Sequence, residues 1–176
     1  MTKYVALLRG VNVGGKNKVE MKKLKITFEK LGFKNVITYI NSGNILFDNE
    51  KSPDVTDIEK MLKKDLGFEV KVLIRTHENI EKLCDSIPEF WENNSDMKTD
   101  VLFLWDEMDK SETMNLITQN TQIDTLIYHP GAIIWHIKKV NYNQSGMHKF
   151  VGTRVYKLMT ARNINTVRKL AELMKA

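Results

Sequence analysis

Residues 36–47 read VITYINSGNILF, and this stretch decides the fold. Two β-rich runs, 36–40 and 44–47, flank Asn41-Ser42-Gly43. Asparagine and glycine tolerate positive φ, and asparagine bonds its own backbone, so the polar interruption signals a hairpin turn. A hairpin makes the two strands antiparallel. It therefore removes the strand–helix–strand crossover that a doubly wound nucleotide-binding sheet would need at this point.

Upstream, residues 3–9 (KYVALLR) read as a buried strand, and Met21, Leu24, Phe28 and Leu31 follow at helical spacing. Gly32 stands where a left-handed residue ends a helix. Downstream of Pro53, Ile58, Met61, Leu62 and Leu66 form a second helical stripe, Gly67 stops it, and residues 70–74 make another strand. The order β-α-β-β-α-β is the split unit of ferredoxin-like folds.

The second half repeats the grammar more weakly. Thr76 is placed to cap a helix bearing Ile80, Leu83, Cys84 and Ile87, which Pro88 ends. A strand is expected at 101–105, a weaker helix at 111–118, and a hairpin of 125–128 with 132–137 around Pro130-Gly131. A basic segment, 145–158, should contain a helix, and the last helix shows Val167, Leu170, Ala171 and Met174 on one face. That half reads β-α-β-β-α-α, without a final strand. The expected fold class is α+β, two ferredoxin-like (split β-α-β) halves packed together, with a C-terminal helix. The expected division is 1–88, a linker at 89–99, and 100–176.

The 176 residues include 42% hydrophobic and 28% charged residues, ordinary for a globular chain that buries a core. No apolar run approaches the ~20 residues that span a bilayer, so no membrane partner is expected. MTKYVALLRG lacks a small-residue cleavage site and reads as a strand instead of a signal peptide. The lone Cys84 rules out an internal disulfide and points to the cytoplasm.

The net charge of +5 is unevenly spread. Residues 1–35 hold nine Lys/Arg against Glu20 and Glu29, and residues 138–176 hold nine against Glu172 alone. Residues 36–137 hold nine against nineteen Asp/Glu. Basic terminal segments suit phosphates or nucleic acid if they share a face, and a merely solvated basic surface otherwise.

Three polar clusters carry the candidate chemistry. Residues 9–18, RGVNVGGKNK, combine Gly10, Gly14 and Gly15 with Arg9, Asn12, Lys16 and Lys18. Glycines allow backbone N–H groups to turn toward an anion. Gly10-x4-Gly15-Lys16 fits part of a nucleoside-triphosphate loop, and the apolar run ending in Asp106-Glu107 imitates its second motif. Asn17, however, occupies the magnesium-ligating Ser/Thr position, and the helix pattern starts only near Val19 or Glu20. Asn41, Ser42 and Asn44 crowd donors and acceptors into one turn, which suits either the turn itself or a polar ligand. Thr160 to Thr166 opens the last helix, where Asn163 or Asn165 caps and Arg162 could grip a phosphate or carboxylate.

Other groups single out less. Cys84 lies on an apolar stripe, the four histidines show no metal spacing, and no nucleophile elbow or CxxC occurs. The strand aromatics Tyr39, Phe47, Phe103, Trp105 and Trp135 could stack on bases but fit a core better. Trp135-His136 lies in an alternating strand, one inward and one outward.

YVALLRGVNVGGKNKVEM, LGFKNVITYINSGNILF and TARNINTVRKL, in this order, resemble the bacterial domain-of-unknown-function 1697 family along essentially the whole chain. The resemblance implies a cytosolic α+β protein with a duplicated ferredoxin-related architecture. It carries over no activity or catalytic residue. The family pattern has an aromatic after the Arg-Asn pair, where this chain has Ile164. The shared blocks coincide with the three polar clusters, which raises the expectation of a common site. That expected site comprises Arg9, Asn12, Gly14, Gly15, Lys16, Asn41, Ser42, Asn44, Arg162 and Asn163. Its expected ligand is a phosphorylated small molecule or nucleotide, bound or turned over, with no metal and no assigned cofactor. The alternatives are a nucleic-acid-binding module using the basic termini, an interaction protein using apolar surface, and a P-loop-type nucleoside-triphosphatase.

Overall fold

The computed structural model describes residues 1–175. Contacts divide the chain into two units, Met1–Glu78 joined by the residues from Glu172 onward, and Asn79–Ala171.

In the first unit, β1 (Thr2–Arg9), α1 (Met21–Lys30), β2 (Lys34–Tyr39), β3 (Asn44–Asn49), α2 (Val55–Leu66) and β4 (Lys71–Thr76) form one antiparallel sheet, ordered β2-β3-β1-β4, with two helices. This is the split β-α-β order. The helices form for the reasons their sequences give. Leu24 and Phe28 on α1, and Ile58 and Leu62 on α2, are buried at helical spacing beneath charged outer faces. Asp54 caps α2 by accepting from the N–H groups of Thr56 (2.8 Å) and Asp57 (3.2 Å), and Gly67 ends it at φ 84°. Tyr4, Ala6, Leu8, Ile45, Phe47 and Val72 supply the sheet side of this core.

In the second unit, β5 (Met97–Leu104), β6 (Thr125–His129), β7 (Ala132–Lys138) and β8 (Met159–Asn163) form a second antiparallel sheet, ordered β6-β7-β5-β8. The order mirrors that of the first sheet. Residues 159–163 do not open the last helix; they form the strand expected to be missing, paired with β5 through Val101↔Arg162 and Phe103↔Thr160. Met159 and Ala161 point to the core while Thr160 and Arg162 take the other face, a period-two pattern hidden by its polar members. Residues 111–118 contribute only a 3₁₀ segment, Ser111–Leu116, and the helix of the basic segment is the single turn α4 (Met147–Phe150).

Two further helices complete the chain, α3 (His77–Asp85) and α5 (Ile164–Lys175). Of residues 89–99, expected as linker, those before β5 make specific contacts and the last three open β5. Trp91 stacks on His136 with ring centroids 4.3 Å apart, and Arg168 donates to the carbonyls of Trp91 (2.7 Å) and Pro88 (3.0 Å). Asn165 and Asn93 exchange two hydrogen bonds, 2.8 and 3.2 Å.

Candidate functional site

The glycine-rich segment folds as a miniature hairpin. Val13 pairs with Lys16, whose N–H donates to the Val13 carbonyl at 3.1 Å, and Gly14 and Gly15 between them have φ of 58° and 74°. Positive φ at both central residues is what a type I′ turn demands, so these glycines are explained by the turn. The hairpin is continued by Asn12 N–H donating to the Asn17 carbonyl at 3.0 Å. Asn12 and Asn17 themselves adopt φ of 54° and 50°, a region asparagine tolerates. Lys16 therefore sits at a hairpin tip, before a helix that begins at Met21, in a unit whose sheet is antiparallel. That is not the geometry of a nucleoside-triphosphate loop, in which the lysine opens the helix after a parallel strand.

Asn12 fastens this hairpin down. Its amide donates to the carbonyls of Val19 (3.0 Å) and Asn41 (2.8 Å), and its oxygen accepts from Val19 N–H at 2.8 Å. The bond to Asn41 joins the glycine hairpin to the β2–β3 turn, two clusters far apart in sequence. Gly43 draws them closer. Its carbonyl accepts from Leu8 N–H at 2.8 Å, and a Cβ at Gly43 would lie 2.5 Å from Val11 Cγ2.

The β2–β3 turn is strained where it meets the hairpin. Ile40 has φ 47°, a left-handed conformation that a β-branched side chain resists by roughly 1–2 kcal/mol. Asn44 is fully buried and donates to the Tyr39 carbonyl (3.1 Å) and Ser42 Oγ (2.9 Å), which closes the turn from inside.

An open depression of about 760 Å³ lies between these pieces, lined by Asn12, Gly15, Lys18, Val19, Glu20, Met21 and Asn41. The start of α1 faces it with neither a side-chain cap nor an acidic residue in the first turn. Lys16, Lys18 and Lys22 are exposed and form no ion pair among the described residues. Of the sequence-expected set, Asn12, Gly15 and Asn41 line the depression. Gly14 and Lys16 form the adjoining tip, Ser42 and Asn44 build the turn, and Arg9 ends β1. Lys18, named in the glycine-rich cluster, and Val19, Glu20 and Met21 line the depression without belonging to that set. Their signal was available in the helix start itself, where N–H groups without partners collect.

Arg162 and Asn163 belong to the second unit. Arg162 is buried, and its Nη1 donates to Thr160 Oγ1 (3.1 Å) and the Ala161 carbonyl (2.8 Å). Burial lowers its pKa to about 10, against a smaller opposing pull from Tyr156, so it stays charged at neutral pH. Asn163 accepts from Thr166 N–H at 2.9 Å and caps α5. Among the described residues no group of three or more His, Cys, Asp or Glu could hold a metal ion, and no helix is long and apolar enough to cross a membrane.

Residues 1–135 match the family described as "Protein of unknown function (DUF1697)". The chain belongs to the DUF1697 family. Its match spans the glycine hairpin, the β2–β3 turn, β5, β6 and the first half of β7, while Arg162 and Asn163 lie beyond it. A solved structure, that of the conserved bacterial protein SP0830 from Streptococcus pneumoniae, is 27% identical and superposes with a TM-score of 0.81. The two chains cover 98% of each other. The duplicated α+β architecture of this DUF1697 member is thus shared with a solved relative. Comparison with curated proteins gave no match.

Proposed function

We propose that the first unit binds a small phosphorylated ligand, a nucleotide or sugar phosphate, in the depression between the glycine hairpin, the β2–β3 turn and the start of α1. The observation that carries this reading is one coincidence. A helix N-terminus without a side-chain cap and Lys18, which forms no ion pair among the described residues, line the same open hollow. A helix start offers N–H groups without intrahelical partners and the positive end of its dipole, both of which favour an anion. In this reading Lys18 and the first-turn N–H groups hold the phosphate, with Lys16 reaching over from the tip. Glu20 and the Asn41 side chain meet the hydroxyls or base edge of the remainder. Asn12, Gly14, Gly15, Ser42 and Asn44 shape the site. We confine the proposed site to the first unit, because Arg162 and Asn163 already serve Thr160, Ala161 and α5. Any turnover would draw on electrostatic stabilisation by the lysines and N–H groups. A cytoplasmic location accords with the lone Cys84.

The test is a thermal-shift screen of the intact chain against nucleotides and sugar phosphates at physiological salt. A ligand at about 100 times its dissociation constant should stabilise by roughly 2.7 kcal/mol. The shift should vanish in Lys18→Ala, whose side chain is exposed and whose loss leaves the fold intact. No shift from any phosphorylated compound at millimolar concentration would refute the proposal.

A further inference from the structure

The chain between β7 and β8 occupies the place that α2 holds in the first unit, and it is chemically unlike it. No Asp or Glu occurs between Asp124 and Glu172. Residues 139–158 are built from 3₁₀ turns and the four-residue α4. Tyr142, Met147, Phe150 and Tyr156 turn inward onto the second core, with the Phe150 ring 5.5 Å from that of Trp135. The inward set leaves Lys149, Arg154 and Lys157 outside, all exposed and none in an ion pair among the described residues. On α2 and its surroundings, by contrast, Lys60, Lys63, Lys71 and Lys30 each meet a carboxylate.

A run of exposed cations with no carboxylate in the run and no ion pair favours a polyanion, since no bridge has to be broken and each phosphate bound releases a counterion. Because the aromatic rings of the layer are committed to the core, it offers nothing on which bases could stack. Its exposed aliphatics, Val140, Val151 and Leu158, sit on no helix long enough to lie in a lipid interface. We propose that this outer layer of the second unit docks on the phosphate backbone of a nucleic-acid duplex, without reading sequence. The proposal is independent of the small-ligand site in the first unit.

The test is fluorescence anisotropy of the full chain with labelled random-sequence DNA and RNA duplexes over a salt series. Affinity should fall log-linearly with salt and be indifferent to sequence; the tighter of the two duplexes identifies the natural backbone. Replacing Lys149, Arg154 and Lys157 by Ala should flatten the salt slope by roughly 1 for each cation removed. A control variant, Lys60→Ala with Lys63→Ala and Lys64→Ala, removes equal charge from α2 and should leave the slope unchanged. Thermal midpoints of both variants verify that they fold. The proposal is overturned by absence of duplex binding, by an unchanged slope in the first variant, or by equal losses in the two. Binding to phosphatidylserine vesicles without binding to duplex overturns it as well.

Discussion

Between β3 and β4 the first unit places α2, whose Ile58 and Leu62 bury completely while Lys60, Lys63 and Glu59 form ion pairs on its outer face. Between β7 and β8 the second unit places irregular turns, and a buried carboxylate holds them. Asp124, 6% exposed, accepts from Trp135 Nε1 (3.0 Å), the Ser145 hydroxyl, Asn120 N–H (2.6 Å) and Gly146 N–H (2.9 Å). The same strand order is thus completed by two kinds of force. A regular helix satisfies its own backbone and needs only an apolar stripe, whereas irregular chain over a core must find partners for its N–H groups elsewhere. Asp124 is that partner.

The largest expected effect follows from this difference. Asp124→Ala strips four donors of their acceptor at a buried point and should destabilise the protein by about 3 kcal/mol or more. The charge state points the same way. Burial pushes the Asp124 carboxyl up, but the bonds from Ser145, Asn120, Gly146 and Trp135 outweigh it, and its pKa lies below the ordinary value. A carboxyl lowered by folding contributes stability that is present above its unfolded pKa and lost as pH falls through the folded one. Urea midpoints between neutral and acid pH should therefore drop for the native chain. Asp124→Asn should start lower at neutral pH and show a shallower acid decline. If Asp124→Ala unfolds at the native midpoint, the contrast between the two units is wrong.

Close backbone crossings allow a second comparison, inside the first unit. Gly43→Ala forces a methyl group to within 2.5 Å of Val11 Cγ2 and 2.8 Å of Leu8 Cβ at φ 74°. Overpacking and the left-handed backbone together should cost roughly 2–4 kcal/mol. Gly14→Ala meets nothing within 4 Å and carries only the backbone strain, roughly 1 kcal/mol. Chemical denaturation of the two variants separates a glycine needed for close approach from one needed only for its turn. Equal losses would mean that the junction of the two loops is looser than its contacts imply.

The parts that sequence made legible were those with a period. The stripes of α1 and α2, the stops at Gly32 and Gly67, and the 36–47 hairpin all follow from local chemistry, and together they specify the first sheet. β8 was hidden because a buried arginine breaks the rule that strand interiors are apolar. Thr160 and Arg162 are buried on the face opposite the core, and only Met159 and Ala161 kept the alternation visible. The expected helix at 111–118 becomes a 3₁₀ segment, and the one within 145–158 is only the single turn α4, because no long apolar stripe supports either. In the candidate site, the density of glycine and asparagine falls on two loops that a hydrogen bond joins. It concealed why: Gly14 and Gly15 answer a type I′ turn, and Asn12 and Asn44 spend their amides inside the chain. Side-chain bonds over long sequence separations have no local signature.

A smaller effect concerns His136, which ties β7 to the segment before β5. Its Nδ1 lies 2.8 Å from Thr99 Oγ1, its ring is stacked on Trp91, and burial lowers its pKa. The folded state thus disfavours the imidazolium. Above the unfolded pKa of about 6.5 both states are neutral and nothing changes. Below it the unfolded chain takes up the proton first, so stability declines until the lowered folded pKa is reached. Equilibrium unfolding followed by tryptophan fluorescence at pH 7.5 and 5.5, in parallel with His136→Phe, checks this. The substitution keeps an aromatic ring against Trp91 and should flatten that part of the pH profile. A profile identical to the native one would remove His136 from the account.

The smallest expected effect lies on the surface that made the first unit look most elaborately stabilised. Lys63 Nζ is 2.9 Å from Glu69 Oε1, and the side chains are 61% and 76% exposed. The bond with Lys63 holds the Glu69 carboxyl below its usual value, yet solvent surrounds both groups. Water screens such a pair, and ordering two long side chains offsets most of what remains. Lys63→Ala should leave the thermal midpoint within experimental scatter, in low salt as in high. A clear drop that salt abolishes would show that α2 depends on its charged face as the irregular layer depends on Asp124. The two units would then differ in where their polar contacts lie, at the surface or in the core, and not in whether they need them.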